Sequence, residues 1–143
     1  MGRIEISTLD YTRASLRFFG DDLIPDEISN LLGHQPTRGE VKGHVRIGKK
    51  TGQRITTKTG GWWLEAPVQN DGNLDTQISN LLQNLVSDIG IWKDLSLRFR
   101  ADIFCGLFLQ TGWDGLSLES STLLMLGERR LKLEMCIYDN SNE

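Results

Sequence analysis

The stretch Gly43-x-x-x-x-Gly48-Lys49-Lys50 falls one residue short of a phosphate-cradling P-loop. That chemistry needs Ser or Thr after the lysine to hold Mg²⁺, and a helix whose N-terminus meets the phosphates. Here Lys50 stands in the hydroxyl's place, and Thr51-Gly52-Gln53-Arg54-Ile55-Thr56-Thr57 does not read as a helix. Nucleotide hydrolysis is rejected on those grounds. His34 and His44 are the only histidines, and Cys105 and Cys136 lie far along the chain, so no pair has the close spacing of a zinc site. Asp21, Asp22, Asp26 and Glu27 form the one acidic cluster, and a helix start accounts for it, since negative charge is favoured at the dipole's positive end. Both cysteines sit in strand-like apolar runs, and no Gly-x-Ser-x-Gly turn exists to hold a nucleophile. No catalytic constellation is visible, and neither a metal nor a cofactor is expected. Catalytic groups meet in space rather than in sequence, so this leaves enzymatic activity unsupported rather than refuted.

What the sequence does concentrate is charge. Arg38, Lys42, Arg46, Lys49, Lys50, Arg54 and Lys58 face a single acid, Glu40, giving residues 38–58 a net charge of +6. The whole chain of 143 residues carries −3, so the remainder carries −9. Trp62 and Trp63 follow directly. A basic segment beside paired tryptophans suits an acidic partner, because Arg and Trp are favoured interface anchors. It also has an ordinary use, as a solvated hairpin tip whose lysines keep an edge from pairing with other chains. Single-stranded nucleic acid is a further reading, since a sheet with exposed aromatics beside a basic groove can hold bases. The RNP-type string of basic, Gly and aromatic residues is absent, however, and the chain as a whole is acidic.

The elements that position these residues follow from periodicity. Tyr11 to Phe19 alternates, with Thr12, Ala14, Leu16 and Phe18 on one face and Arg13, Ser15 and Arg17 on the other, which predicts a half-buried strand. Pro25 opens a short helix with the stripe Ile28, Leu31, Leu32, closed by Gly33. A strand is expected near Val41–Ile47, then a basic turn, then a strand through Trp62-Trp63-Leu64-Glu65-Ala66 that sends one tryptophan inward and one outward. Ile78, Leu81, Leu82, Leu85 and Ile89 form an amphipathic stripe, with Asp75 the expected N-cap. Leu97 to Thr111 reads as a long central strand covered on both faces. A tight turn at Trp113-Asp114-Gly115, a strand at Leu116–Leu118, a helix from Ser120 or Ser121 to Leu126 and a strand Leu131–Tyr138 complete the chain before a frayed end.

The expected fold is therefore α+β: an antiparallel or mixed sheet with helices mainly on one face. The element order is βαββαβ, as in ferredoxin-like units, followed by βαβ. One domain spans residues 1–143, with its core at about 11–139. The string Ile-Ser-Asn-Leu-Leu occurs at both 28–32 and 78–82, compatible with duplication or simply with two helix stripes. No apolar run approaches the ~20 residues of a membrane span, and the start lacks the pattern of a leader. Two cysteines are too few for a disulfide framework, and a reducing cytoplasm is the expected home.

Several strings together resemble a known family. They are Ala14-Ser15-Leu16-Arg17-Phe18-Phe19-Gly20-Asp21 leading to Leu31-Leu32-Gly33, then Gln35-Pro36-Thr37, Gly60-Gly61-Trp62, Gly106-Leu107-Phe108 and Gly115-Leu116-Ser117-Leu118. In order and spacing they resemble the bacterial domain-of-unknown-function family 4279, across about residues 11–139. The resemblance implies a small soluble α+β protein of no established activity, with no catalytic residues to carry over. The basic insert between Arg38 and Lys58 departs from the family's usual look. The expected function is a non-enzymatic protein-interaction module, of the kind that includes immunity-type inhibitors. Alternatives are single-stranded nucleic-acid binding through the basic hairpin and small-molecule binding. The expected partner is a protein, acidic in character, or a second copy of the chain. The contact residues would be Arg38, Lys42, Arg46, Lys49, Lys50, Arg54, Lys58 and one of Trp62 and Trp63.

Overall fold

A computed structural model describes residues 11–68, 72–109 and 115–139. Five strands form one mixed sheet: β1 (Tyr11–Gly20), β2 (Arg38–Glu40), β5 (Gly60–Glu65), β6 (Arg100–Leu109) and β7 (Lys132–Asp139). Their order across the sheet is β2-β5-β1-β6-β7, every neighbouring pair antiparallel except β6 with β7. Two further strands, β3 (Val45–Ile47) and β4 (Arg54–Thr56), pair only with each other. The helices are α1 (Pro25–Leu32), α2 (Leu74–Gln83), α3 (Ile89–Arg98) and α4 (Ser120–Glu128).

The four described helices share a single core with one face of the sheet. Ala14, Leu16 and Phe18 of β1, Trp62 and Leu64 of β5, and Ile103, Cys105 and Leu107 of β6 meet Ile28, Leu32, Ile78, Leu82, Trp92, Leu95 and Leu126. The alternation read in β1 holds residue by residue. Thr12 is buried in that same row, and its polar groups are met by Gln77, whose amide nitrogen donates to the Thr12 and Pro67 carbonyls at 2.9 and 3.0 Å. Leaving those carbonyls bare would cost about 1–3 kcal/mol each.

The helix punctuation is partly as expected. Pro25 sits in the first turn of α1 with Asp26 and Glu27, and Gly33 ends it at φ 77°. Asn73, not Asp75, caps α2, accepting from the Thr76 N–H at 3.1 Å. Asp75 instead accepts the backbone N–H of Glu119 at 2.8 Å, tying the start of α2 to the start of α4.

Four element expectations are corrected. The stripe through Ile89 is two helices: α2 stops at Gln83, and Asp88 starts α3 by accepting the Gly90 N–H at 2.9 Å. The long strand therefore begins at Arg100 rather than Leu97, because Trp92 and Leu95 hold the preceding residues in a helix. The strand expected at Val41–Ile47 splits: β2 ends at Glu40, and Val45–Ile47 belongs to the separate β3–β4 hairpin. Leu116–Leu118 forms no strand. The element order among the described residues thus has a hairpin and a helix more, and a strand fewer, than expected. The turn at residues 113–114 and the end beyond residue 139 lie outside the described residues.

Candidate functional site

β6 was expected to be covered on both faces; its inner side chains are buried, whereas Phe104 and Phe108 are only half-buried on the sheet's other face, which none of the described helices covers. The register lays that face out as rows crossing the strands. One row is Tyr11, Phe108 and Tyr138; the next is Arg13, Gly106 and Cys136; then Glu65, Ser15, Phe104 and Glu134; then Arg38, Trp63, Arg17, Asp102 and Lys132. Six of the chain's eleven aromatic residues stand here: Tyr11, Phe19, Trp63, Phe104, Phe108 and Tyr138. An uncovered sheet face in a two-layer protein is ordinarily polar. Aromatic residues and arginines on such a surface are the composition of an interface core.

The packing of this face is specific. Tyr11, Phe108 and Tyr138 stack across three strands at centroid separations of 4.2 and 4.7 Å with interplanar angles of 10°. Rings stacked along the inter-strand direction stand on edge, so their flat faces meet one another and their rims meet solvent. Arg38 lies 4.0 Å over the Trp63 ring, and Arg17 lies 4.4 Å over Phe104. Both are cation–π distances. Arg17 also makes a two-pronged bond to Asp102, Nε to Oδ1 and Nη2 to Oδ2, each 2.8 Å. The bond to the Asp102 carboxylate raises the pKa of the Arg17 guanidinium.

Between the aromatic row and the Trp63 row runs a groove of about 550 Å³, its floor at Ser15 and Gly106, with Arg13 and Arg38 at its sides. A second depression of about 720 Å³ adjoins it past Arg17, lined by Arg100, Arg130 and Lys132 among others. Across both, Arg13, Arg17, Arg38, Arg100, Arg130 and Lys132 outnumber Glu65, Asp102 and Glu134. The four helices with their N-cap residues have the opposite balance, seven acidic side chains to two basic ones. The charge asymmetry read along the chain is therefore also an asymmetry between faces.

The sequence-predicted residues separate into three places. Trp62 is fully buried, its indole N–H donating to Ser29 Oγ at 3.0 Å, so it has no surface to offer a partner. Trp63 and Arg38 are together on the open face. Arg46 and Arg54 lie on the β3–β4 hairpin, with Lys49 and Lys50 at its tip, and Lys42 and Lys58 flank its base; all are exposed. Lys42 anchors the base through Asp21 at 3.0 Å. That bond and a hydrogen bond from Thr59 hold the Asp21 carboxyl below its ordinary pKa. Arg13, Arg17, Arg100, Arg130 and the open-face rings other than Trp63 were missed as site residues. The signal was present in β1, whose outward positions carry arginines beside Tyr11 and Phe19, but Trp63, Phe104, Phe108 and Tyr138 reach this face from strands distant in sequence.

Cys105 is buried, and desolvation pushes its thiol up to about 12. A thiol held protonated is a poor nucleophile. Among the described residues no three His, Cys, Asp or Glu side chains gather as metal ligands, and no helix is long and apolar enough to cross a membrane. Neither a curated protein nor a solved structure matches the chain. One family model does match, over residues 10–140, the span that includes both the open face and the basic hairpin. On that match the chain belongs to the family described as Domain of unknown function (DUF4279).

Proposed function

We propose that this chain is a non-enzymatic interaction module that docks an acidic surface of a protein partner against its open sheet face, with the basic hairpin reaching alongside. The observation that carries the proposal is the state of the rings on that face. Each of the central rings is already stacked on another ring or lies under a guanidinium. Base stacking needs free flat faces, and here it would have to displace those neighbours. A protein partner needs only ring rims, guanidinium edges and a fixed shape, all of which the face presents. This favours a protein over a single-stranded nucleic acid.

The frame on which the face is built reads as ferredoxin-like. The segment β2-β5-β1-β6 has the spatial order of second, third, first and fourth strands, with the hairpin inserted between the second and third, and β7 appended. The narrower form of the proposal is an immunity-type inhibitor in the bacterial cytoplasm, a reducing compartment compatible with free Cys105 and Cys136. Neighbouring genes encoding a secreted toxin support that form, and metabolic neighbours count against it.

The test begins with affinity capture from the native host, then titration with the purified captured protein. Trp63→Ala and the pair Arg13→Glu, Arg38→Glu are each expected to weaken binding at least about tenfold. Unchanged affinity in both would sink the proposal. So would retention of a single-stranded oligonucleotide whose affinity falls steeply with salt and depends on Trp63.

A further inference from the structure

β7 closes one side of the sheet, and among the described residues no strand lies beyond it. Its backbone donors and acceptors on that side are a template for another strand. The side chains facing the helix layer are unusual too. Met135 and Ile137 are 51% and 65% exposed, although their register partners on β6, Cys105 and Leu107, are buried. Leu123 and Leu124 of α4, the helix that packs on β7, are exposed as well. Natural edges are usually blunted by proline, a bulge or several charges; the stretch Met135-Cys136-Ile137, with its first and last residues exposed, contains none.

We infer that β7 pairs antiparallel with β7 of a second copy, joining two sheets into one. The strand's own pattern specifies how. A two-fold axis normal to the sheet keeps helix side with helix side, so the axis must pass through a residue rather than between two. Centred on Glu134, the pairing sets two carboxylates opposite each other, which is destabilising. Centred on Cys136, it sets Leu133 opposite Asp139. Centred on Met135, it sets Leu133 opposite Ile137, Glu134 opposite Cys136, and Lys132 opposite Tyr138, with no like charges facing. The exposed Met135 and Ile137 of both copies then gather into one apolar patch beneath the joined sheet. On the open face, Lys132 of the second copy meets the outer side of the Tyr138 ring, extending the aromatic row with a cation. The dimer presents two Trp63 grooves on one continuous surface.

The experiment is sedimentation velocity on the full chain over a concentration series. A concentration-dependent dimer is expected, with Ile137→Lys raising its dissociation constant at least about tenfold. Position 137 is mostly solvent-exposed in the single chain, and far-UV circular dichroism checks that the variant folds. As a second measurement, Leu133→Cys, Met135→Cys or Ile137→Cys, each in a Cys105→Ala, Cys136→Ser background that removes the register neighbour of position 135, is oxidised with diamide. Position 135, on the axis, is expected to give the most disulfide-linked dimer. A chain monomeric at every concentration overturns the inference, whatever else binds the edge, as does a dimer unmoved by Ile137→Lys. Strongest cross-linking at 133 or 137 overturns the register.

Discussion

Trp62 and Trp63 differ by one step of strand phase, and that step decides everything about them. Trp62 packs edge-on against Phe18, centroids 5.9 Å apart, and its N–H satisfies the buried hydroxyl of Ser29. Trp63 lies over Gly61, where any β-carbon would strike its ring, and takes Arg38 on its face. Trp62→Phe removes both buried volume and the indole N–H that the Ser29 hydroxyl accepts, so a loss of about 2–3 kcal/mol is expected in urea unfolding. Trp63→Phe leaves the core alone and is expected to change stability by less than about 1 kcal/mol. Equal losses from the two would refute the division. The alternation that assigns one ring inward is readable from residues 61–66 alone. Its consequence for Ser29 is not: Ser29 and Ser79 occupy the same place in identical strings, yet the Ser79 hydroxyl donates back to the Thr76 carbonyl in its own helix. Local pattern reports which side a residue faces, not what arrives there from a distant element.

At the scale of elements, the same limit explains what was misread. Ile89 continues the phase of the α2 stripe, so hydrophobic spacing alone runs two helices together; Asp88, a good N-cap, was the mark of the break. The end of α4 carries a different kind of information. Arg130 is the non-glycine residue with positive φ, at 55°, among the described residues. Its N–H bonds Gly127 and the Leu131 N–H bonds Leu126, at 3.1 and 3.0 Å, the paired pattern that usually places glycine at this position. An L-residue there costs about 1–2 kcal/mol, and such strain tends to persist where function holds it. Arg130 also lines the second basic depression of the open face, which supplies the reason. Arg130→Gly is therefore expected to raise unfolding stability by roughly 0.5–1 kcal/mol while weakening partner binding several-fold. Thermal melts and the same titration read the two effects separately. A variant that gains stability and binds as before would show the strain to be idle.

The whole molecule is polarised, with a basic open face and hairpin opposed to an acidic helix layer, although its net charge is small. Such a field orients an approaching acidic partner before contact. The hairpin is the part best separated from the fold. β3 and β4 pair only with each other, every residue of both is exposed, and none belongs to the core. Its base is closed by the Thr57 N–H to the His44 carbonyl at 2.8 Å and by Thr57 Oγ1 donating to Glu40 at 2.7 Å. Joining His44 to Thr57 through Asn-Gly keeps that closure, because two residues of this kind make a tight hairpin turn. The excision removes Arg46, Lys49, Lys50 and Arg54 without opening the core, so the melting temperature should move by no more than a few degrees. Because the hairpin supplies charge beside the face rather than packing within it, its loss should act on encounter. The association rate is expected to fall about tenfold and to lose part of its dependence on salt, the open face keeping its own basic residues, with the dissociation rate nearly unchanged. Stopped-flow or surface-based kinetics at two ionic strengths measures both. A faster dissociation with unchanged association would instead put the hairpin inside the interface, and no change in either would leave it a solubilising tip.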